Sequence, residues 1–288
     1  MFAIIGIVVV LGGVIGGYLM EHGNLSVLFQ PAEVVIIGGA ALGSLLISAP
    51  LKVVIEIFKG CIKVLTGKDP EKKDYVEILM VLYDLLGMAR REGVIAIESH
   101  VNAPDKSSIF TRYPKVVKNH EVRDFICDNF KTFMAAGMEP HELEALMDID
   151  IESHHAHAMH PPHYLNRTAD SLPGMGIVAA VLGVVLTMGK ISEPPEVLGH
   201  SIGAALVGTF LGILACYGFL GPMAANMENK AQIAEAQLRV VRAAMIAFAL
   251  GWPPPMALEA ARRAIPTGER PTFEEVEEIL KNARKQGG

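Results

Sequence analysis

Charge is what this chain has least of. Only 19% of its 288 residues are Asp, Glu, Lys or Arg, against about 25% in an ordinary soluble domain. The shortage is local: residues 1–20, 34–51, 171–189 and 201–227 contain no Asp, Glu, Lys, Arg or His. Blanks of that length exclude a single soluble globule, and 51% hydrophobic residues exclude a disordered chain. No basic stripe is present, which excludes a nucleic-acid binder. Cysteine is scarce too. Cys61, Cys127 and Cys216 form neither a CxxC pair nor a framework, so no disulfide and no thiolate zinc site is expected. GxSxG, P-loop and Rossmann signatures are all missing.

The uncharged blanks are of membrane length, since roughly 20 apolar residues cross a bilayer core as a helix. They predict four spans, at 2–20, 34–51, 172–189 and 201–227, with Pro222 marking the inner end of the fourth. The first is expected to be a span rather than a secretory signal, with no basic segment ahead of it and no A-x-A site after it. Lys and Arg set the direction. The connection 21–33 has none and 190–200 has one, Lys190, whereas 52–170 has fifteen and 228–288 has nine. Both chain ends and the long loop are therefore expected on the cytoplasmic side. The expected organisation is a spanning hairpin over 1–51, a cytoplasmic region over 52–170, a second hairpin over 171–227 and a cytoplasmic tail over 228–288. Gly12/Gly16, Gly13/Gly17, Gly39/Gly43 and Gly208/Gly212 are GxxxG pairs. In lipid such pairs let helix backbones approach closely, within a chain or between copies.

The soluble segments carry helical periodicity. Segment 74–91 is apolar enough to be a packed helix, and Val122, Phe125, Ile126, Phe130, Phe133 and Met134 recur at helical spacing. A helix is expected to begin near Pro140, with Leu143, Leu146, Met147 and Ile151 on one side. The tail breaks at Trp252-Pro253-Pro254-Pro255, then restarts with the capping box Thr272-Phe273-Glu274-Glu275 ahead of Val276, Ile279 and Leu280. No alternating strand pattern competes. The fold class expected is all-α: four transmembrane helices, a large helical cytoplasmic loop and a helical C-terminal tail.

Two kinds of chemistry can be tested on the residues. His154, His155, His157, His160 and His163 are dense enough to suggest a divalent metal. Pro161 and Pro162 are expected to prevent the regular helix that would fix their geometry, and His141-Glu142 lacks the second histidine of HExxH because position 145 is Ala. A solvated linker is the better reading, with no metal and no cofactor expected. A transport reading meets a different gap: an ion path usually carries an intramembrane acid or imidazole. The four spans offer no acid or imidazole, only uncharged polar groups such as Ser44, Ser48, Thr187, Thr209, Cys216 and Tyr217. A hydroxyl cannot hold and release a proton near neutral pH, so the titratable group is expected to come from another chain.

Longer stretches are specific. GGVIGGYLMEHGNLSVLFQPAEVVIIGGA, ARREGVIAIE, DSLPGMGIVAAVLGVV, VGTFLGILACYGFLGPMA and RPTFEEVEE follow one another through all four spans and both soluble parts. With them the chain resembles the MotA family, the A subunits of bacterial flagellar stators, in the MotA/TolQ/ExbB superfamily. The resemblance implies a non-enzymatic, multi-pass inner-membrane protein. Its A subunits form a ring, understood as a pentamer, around two B subunits (MotB). Each B helix brings a proton-accepting aspartate, and ion flow turns the ring against the rotor protein FliG. Arg90 and Glu98 match the rotor-facing charges. Pro173 and Pro222 match prolines bracketing the pore spans and are expected to act as hinges, Pro173 sitting at a helix start capped by Asp170 or Ser171. Asp170 also matches and is implied as an early acceptor of the outgoing proton. Sodium-driven members carry a threonine in span three where this chain has Ala180, which implies a proton-driven motor, although Thr209 matches a family threonine in span four. The alternatives are a TolQ/ExbB-like energiser of the outer membrane and, in a different class, a membrane metalloenzyme using the histidine cluster.

Overall fold

The structure is a computed structural model that describes residues 2–286, and those residues are predominantly helical, with no strand among them. In chain order the helices are α1 (Phe2–Met20), α2 (Leu25–Leu28), α3 (Pro31–Ser48), α4 (Leu51–Thr66), α5 (Lys72–Glu92), α6 (Glu98–Asn102), α7 (Pro114–Lys118), α8 (His120–Ala136), α9 (Pro140–Met188), α10 (Pro195–Ile213), α11 (Gly221–Ala249), α12 (Pro254–Ala264) and α13 (Phe273–Gln286). A π-helical segment, Leu214–Leu220, joins α10 to α11 without a break. The chain divides into two compact units, 1–68 with 158–230 and 69–157 with 231–288.

Four helices are long and apolar enough to cross a membrane, Phe2–Met20, Leu25–Ser48, Pro140–Met188 and Pro195–Ala249, and their uncharged stretches all belong to the first unit. α1 is 19 residues with none of them buried, about 28 Å long at 1.5 Å per residue and matched to a hydrocarbon core. α3 starts at Pro31, three residues before the predicted span, because proline fits the first helical position, where an N–H would have no partner anyway. That start corrects one expectation: the second spanning helix contains an acid, Glu33, which is buried.

The third and fourth spans are parts of much longer helices. α9 runs 49 residues with Pro161, Pro162 and Pro173 inside it, so the double proline does not interrupt the helix as expected. Pro173 is interior rather than at a helix start. Asp170 accepts from Asn166 Nδ2 at 3.2 Å and Ser171 donates to the Thr168 carbonyl at 2.7 Å, so neither caps a new helix. Pro222 likewise does not end its helix, because α11 continues to Ala249. Its missing N–H and its clash with the carbonyl four residues back disrupt the α pattern there. The preceding turns widen instead, and Gly221 N–H donates to the Cys216 carbonyl, five residues back.

The second unit is built on an aliphatic and aromatic core. Tyr75, Leu82, Leu85 and Leu86 of α5 meet Phe110, Ile126 and Phe130, and Leu143, Met147, Val241, Ala244 and Leu258 complete it. Burying one such large side chain contributes roughly 1.5–3 kcal/mol. Leu146, expected on the apolar side, is instead 37% exposed. The helix ends follow local chemistry. Thr272 Oγ1 accepts from Glu275 N–H at 3.2 Å while Glu275 Oε2 accepts from Thr272 N–H at 2.7 Å, the capping box read in the sequence. A second box, Glu71 with Asp74, opens α5. Cys127 is buried there, and burial pushes its thiol up to about 12.

Glu259 ties α12 together. It accepts from Arg262 at 2.7 Å and from Arg263 at 2.8 Å, and the Arg262 hydrogen bond foremost holds its carboxyl down at about 2. A carboxylate depressed in the folded state stabilises above its unfolded value near 4.5, and that contribution disappears as pH falls towards 2. Between pH 4.5 and 2 the wild-type chain is therefore expected to lose more thermal stability than Glu259→Gln. Parallel melting curves for the two would contradict this.

Candidate functional site

The residues singled out in the sequence fall into two groups, one in each unit. In the second unit, Arg90 lies in the last turn of α5 and Glu98 opens α6, each on the dipole end that favours its charge. Both are exposed, and neither forms an ion pair among the described residues. Between them the chain turns at Gly93, whose φ of +90° a side chain would strain. The 3₁₀ turn Val94–Ile97 then anchors Ile97 and Val101, both fully buried, under the same core. The sequence ARREG…E thus presents two opposite, exposed charges on either side of a turn anchored by buried Ile97.

In the first unit, α9 and α10 cross backbone to backbone. A Cβ added at Gly212 would stand 2.5 Å from the Leu172 carbonyl oxygen and 3.0 Å from Gly176 Cα. One added at Gly176 would stand 2.7 Å from the Gly208 carbonyl oxygen and 3.2 Å from Thr209 Cα. Of the four GxxxG pairs, Gly208/Gly212 is thus used within the chain, whereas Gly12, Gly13, Gly16, Gly17, Gly39 and Gly43 face open space. Pro173 and Ala180, seven residues apart, share one face of α9. Ile177, Val181 and Val184 beside them are exposed by 56%, 55% and 45%. The helix therefore presents an open apolar stripe. Thr209 is half-buried beside the crossing, while Asp170 and Pro222 are exposed. Thr187 is buried and donates to the Gly183 carbonyl at 2.8 Å, so its own helix satisfies it.

The histidines do not assemble. No group of three or more His, Cys, Asp or Glu able to hold a metal occurs among the described residues. His155 Nδ1 instead lies 2.8 Å from Glu235 Oε2, and Glu235 also pairs with Arg239 at 2.6 Å. The sequence reading missed Glu33. The available signal was Gln30-Pro31-Ala32-Glu33, since proline at the first helical position places the acid in the first turn.

Two family profiles match: "Motility protein A N-terminal" over residues 4–93 and "MotA/TolQ/ExbB proton channel family" over 117–239. Motility protein A of Escherichia coli strain K12 is 38% identical over 289 residues, covering 99% of this chain and 98% of that protein. The chain belongs to the motility protein A family. Chemotaxis protein LafT of Vibrio parahaemolyticus is also 38% identical, over 96% of this chain and 97% of its own. The family fold is seen in the structure of MotAB from C. jejuni, with a TM-score of 0.78, 20% identity, and 94% and 98% of the two chains covered. The flagellar MotAB stator complex from Bacillus subtilis gives 0.72 and 21%, over 93% and 97%. Membership over the full length disfavours the outer-membrane energiser, because the match includes the first hairpin and both soluble parts.

Proposed function

We propose that this chain is the A subunit of a proton-conducting flagellar stator, which with a B subunit converts ion flow across the inner membrane into torque. The observation that carries the reading is the 38% identity to Motility protein A along 99% of the chain. The geometry supports it. The open stripe around Ala180 on α9 is suited to a partner helix, and no described path of acids runs through the first unit. The partner, MotB, supplies the aspartate that accepts protons. The outward-facing glycines of α1 and α3 suit close packing between copies, consistent with a pentameric ring. The excess of Lys and Arg in 52–170 and 228–288 supports a cytoplasmic location for the long loop and both chain ends.

Purified alone in liposomes, the chain is expected to pass no more protons than lipid, and co-reconstitution with its B subunit is expected to raise the flux. Robust flux from the single subunit would contradict the division of labour.

Arg90 and Glu98 form the rotor contact in this reading, steering and registering FliG rather than supplying affinity. Charge reversal at either is expected to cut swimming severely while insertion and assembly persist, and a reversed charge on the rotor is expected to restore part of it. Failed assembly with no rescue would make both residues structural. Pro173 and Pro222 act as hinges: each removes a backbone donor from a continuous helix, and Pro222 abuts a π segment that can change its hydrogen-bond register. Asp170, exposed on α9, receives the outgoing proton.

A further inference from the structure

Glu33 is buried to 8% exposure on an apolar spanning helix, and its Oε2 is fully covered with no hydrogen-bond partner. The carboxyl fills a notch made by missing side chains. A Cβ at Gly208 of α10 would stand 2.5 Å from Glu33 Oε2 and 3.1 Å from Ala179 Cβ, and one at Gly183 of α9 would stand 3.8 Å from Oε1. Ala205 closes the other side of Gly183, its Cβ 2.6 Å from that same added atom. An ionised carboxylate here would give up its water and receive neither a cation nor an N–H in return. A protonated one carries no net charge and has an O–H to offer a helix carbonyl. The neighbouring alanine methyls provide none of the oxygens that a metal cation requires.

The position also gives a way out for a proton. Glu33 lies in the first turn of α3, directly after the polar 21–30 connection. α2 from that connection rests on α10, with Val27 Cγ1 4.0 Å from a Cβ added at Gly203. The ionisable groups on the packed elements are Glu196 and His200 of α10 and Lys52, Glu56, Lys59 and Lys63 of α4; all are exposed except Glu56, which is half-buried. α9 carries none between Asp170 and its end at Met188, and α2 is flanked by the exposed Glu21 and His22.

We propose that Glu33 is a proton-binding site of this chain, a neutral carboxylic acid seated in the Gly183–Gly208 notch that exchanges its proton with water at the 21–30 connection. When the α3–α10 contact loosens, the Glu33 O–H bond breaks and the proton passes to a water molecule, leaving a carboxylate. Closure requires the reverse transfer. A stator would thus carry a titratable group on its A subunit in addition to the partner's aspartate, and this part of the inference rests on the stator reading.

The test has two arms. The full chain in lipid nanodiscs is examined by infrared spectroscopy at neutral pH, where the exposed carboxyls are ionised. The expected result is a protonated-carboxyl carbonyl band that Glu33→Gln removes and Glu33→Asp retains at a shifted position. Identical wild-type and Gln spectra in that region would overturn the proposal. In cells with the B subunit, Glu33→Gln keeps the size but cannot release a proton, and is expected to lower swimming at least tenfold while Glu33→Asp keeps part of it. Full swimming with Gln at equal membrane abundance would reduce Glu33 to packing and overturn the proposal. If the wild-type chain itself fails to drive swimming, the stator reading fails and the infrared arm alone decides.

Discussion

Gly212→Val is expected to keep the first unit from folding, whereas Gly12→Val leaves it folded. At position 212 the first added carbon already meets backbone, the Leu172 carbonyl at 2.5 Å and Gly176 Cα at 3.0 Å. Backbone cannot rotate aside as a side chain can, so α9 and α10 must separate along their contact. Overpacking typically costs 1–3 kcal/mol when side chains can yield. Here they cannot, and about 3 kcal/mol or more is a large share of a stability of about 5–15 kcal/mol. Separation would also open the notch around Glu33, since Gly208 lies one turn before Gly212 on the same face of α10. At Gly12 nothing in the chain lies within 4 Å of the added carbon. Thermal aggregation of the detergent-solubilised chain, with membrane abundance, measures both. Comparable loss in the two variants would mean that the α9–α10 crossing is not the tight point of the unit.

Swimming driven by this chain is expected to persist when potassium replaces sodium, and to stop when an uncoupler collapses the proton gradient. A sodium ion exchanges its hydration water for several oxygen ligands. On the open stripe of α9 the relevant position is Ala180, and its methyl coordinates nothing. The nearby hydroxyl of Thr187 is buried and already donates to its own helix. Thr209 leaves one hydroxyl beside the crossing, too few for a dehydrated cation. A proton needs only hydrogen-bonded water and carboxyls, and the loss of an oxygen at 180 does not impair it. Swimming speed that instead follows external sodium, and survives the uncoupler while a sodium gradient is held, would contradict this.

Much of the fold was legible because membrane helices are written as uncharged blanks and soluble ones as periodic apolar residues. The capping box at Thr272, the start at Pro140 and the break at Trp252 all lie where local chemistry dictates them. Prolines were misread. Pro161, Pro162, Pro173 and Pro222 look like stops when weighed singly, yet each lies inside a long helix, since packing along a helix tens of residues long outweighs one or two lost hydrogen bonds. The π segment before Pro222 is how the fourth span accommodates that loss. Glu33 was missed for a related reason. An acid next to an apolar run reads as its boundary, and only the glycines at 183 and 208, far away in sequence, make room for it inside. Arg90 and Glu98 could be found only through the resemblance, because an exposed Arg and an exposed Glu carry no signal of their own.

The stator reading is tested most directly by complementation. A motile bacterium lacking its own A and B subunits is given this chain, with and without the cognate B subunit, and swimming is measured. The account predicts swimming with both subunits and none with this chain alone. Swimming restored without any B subunit, or no swimming when both are present and inserted in the membrane, would contradict it.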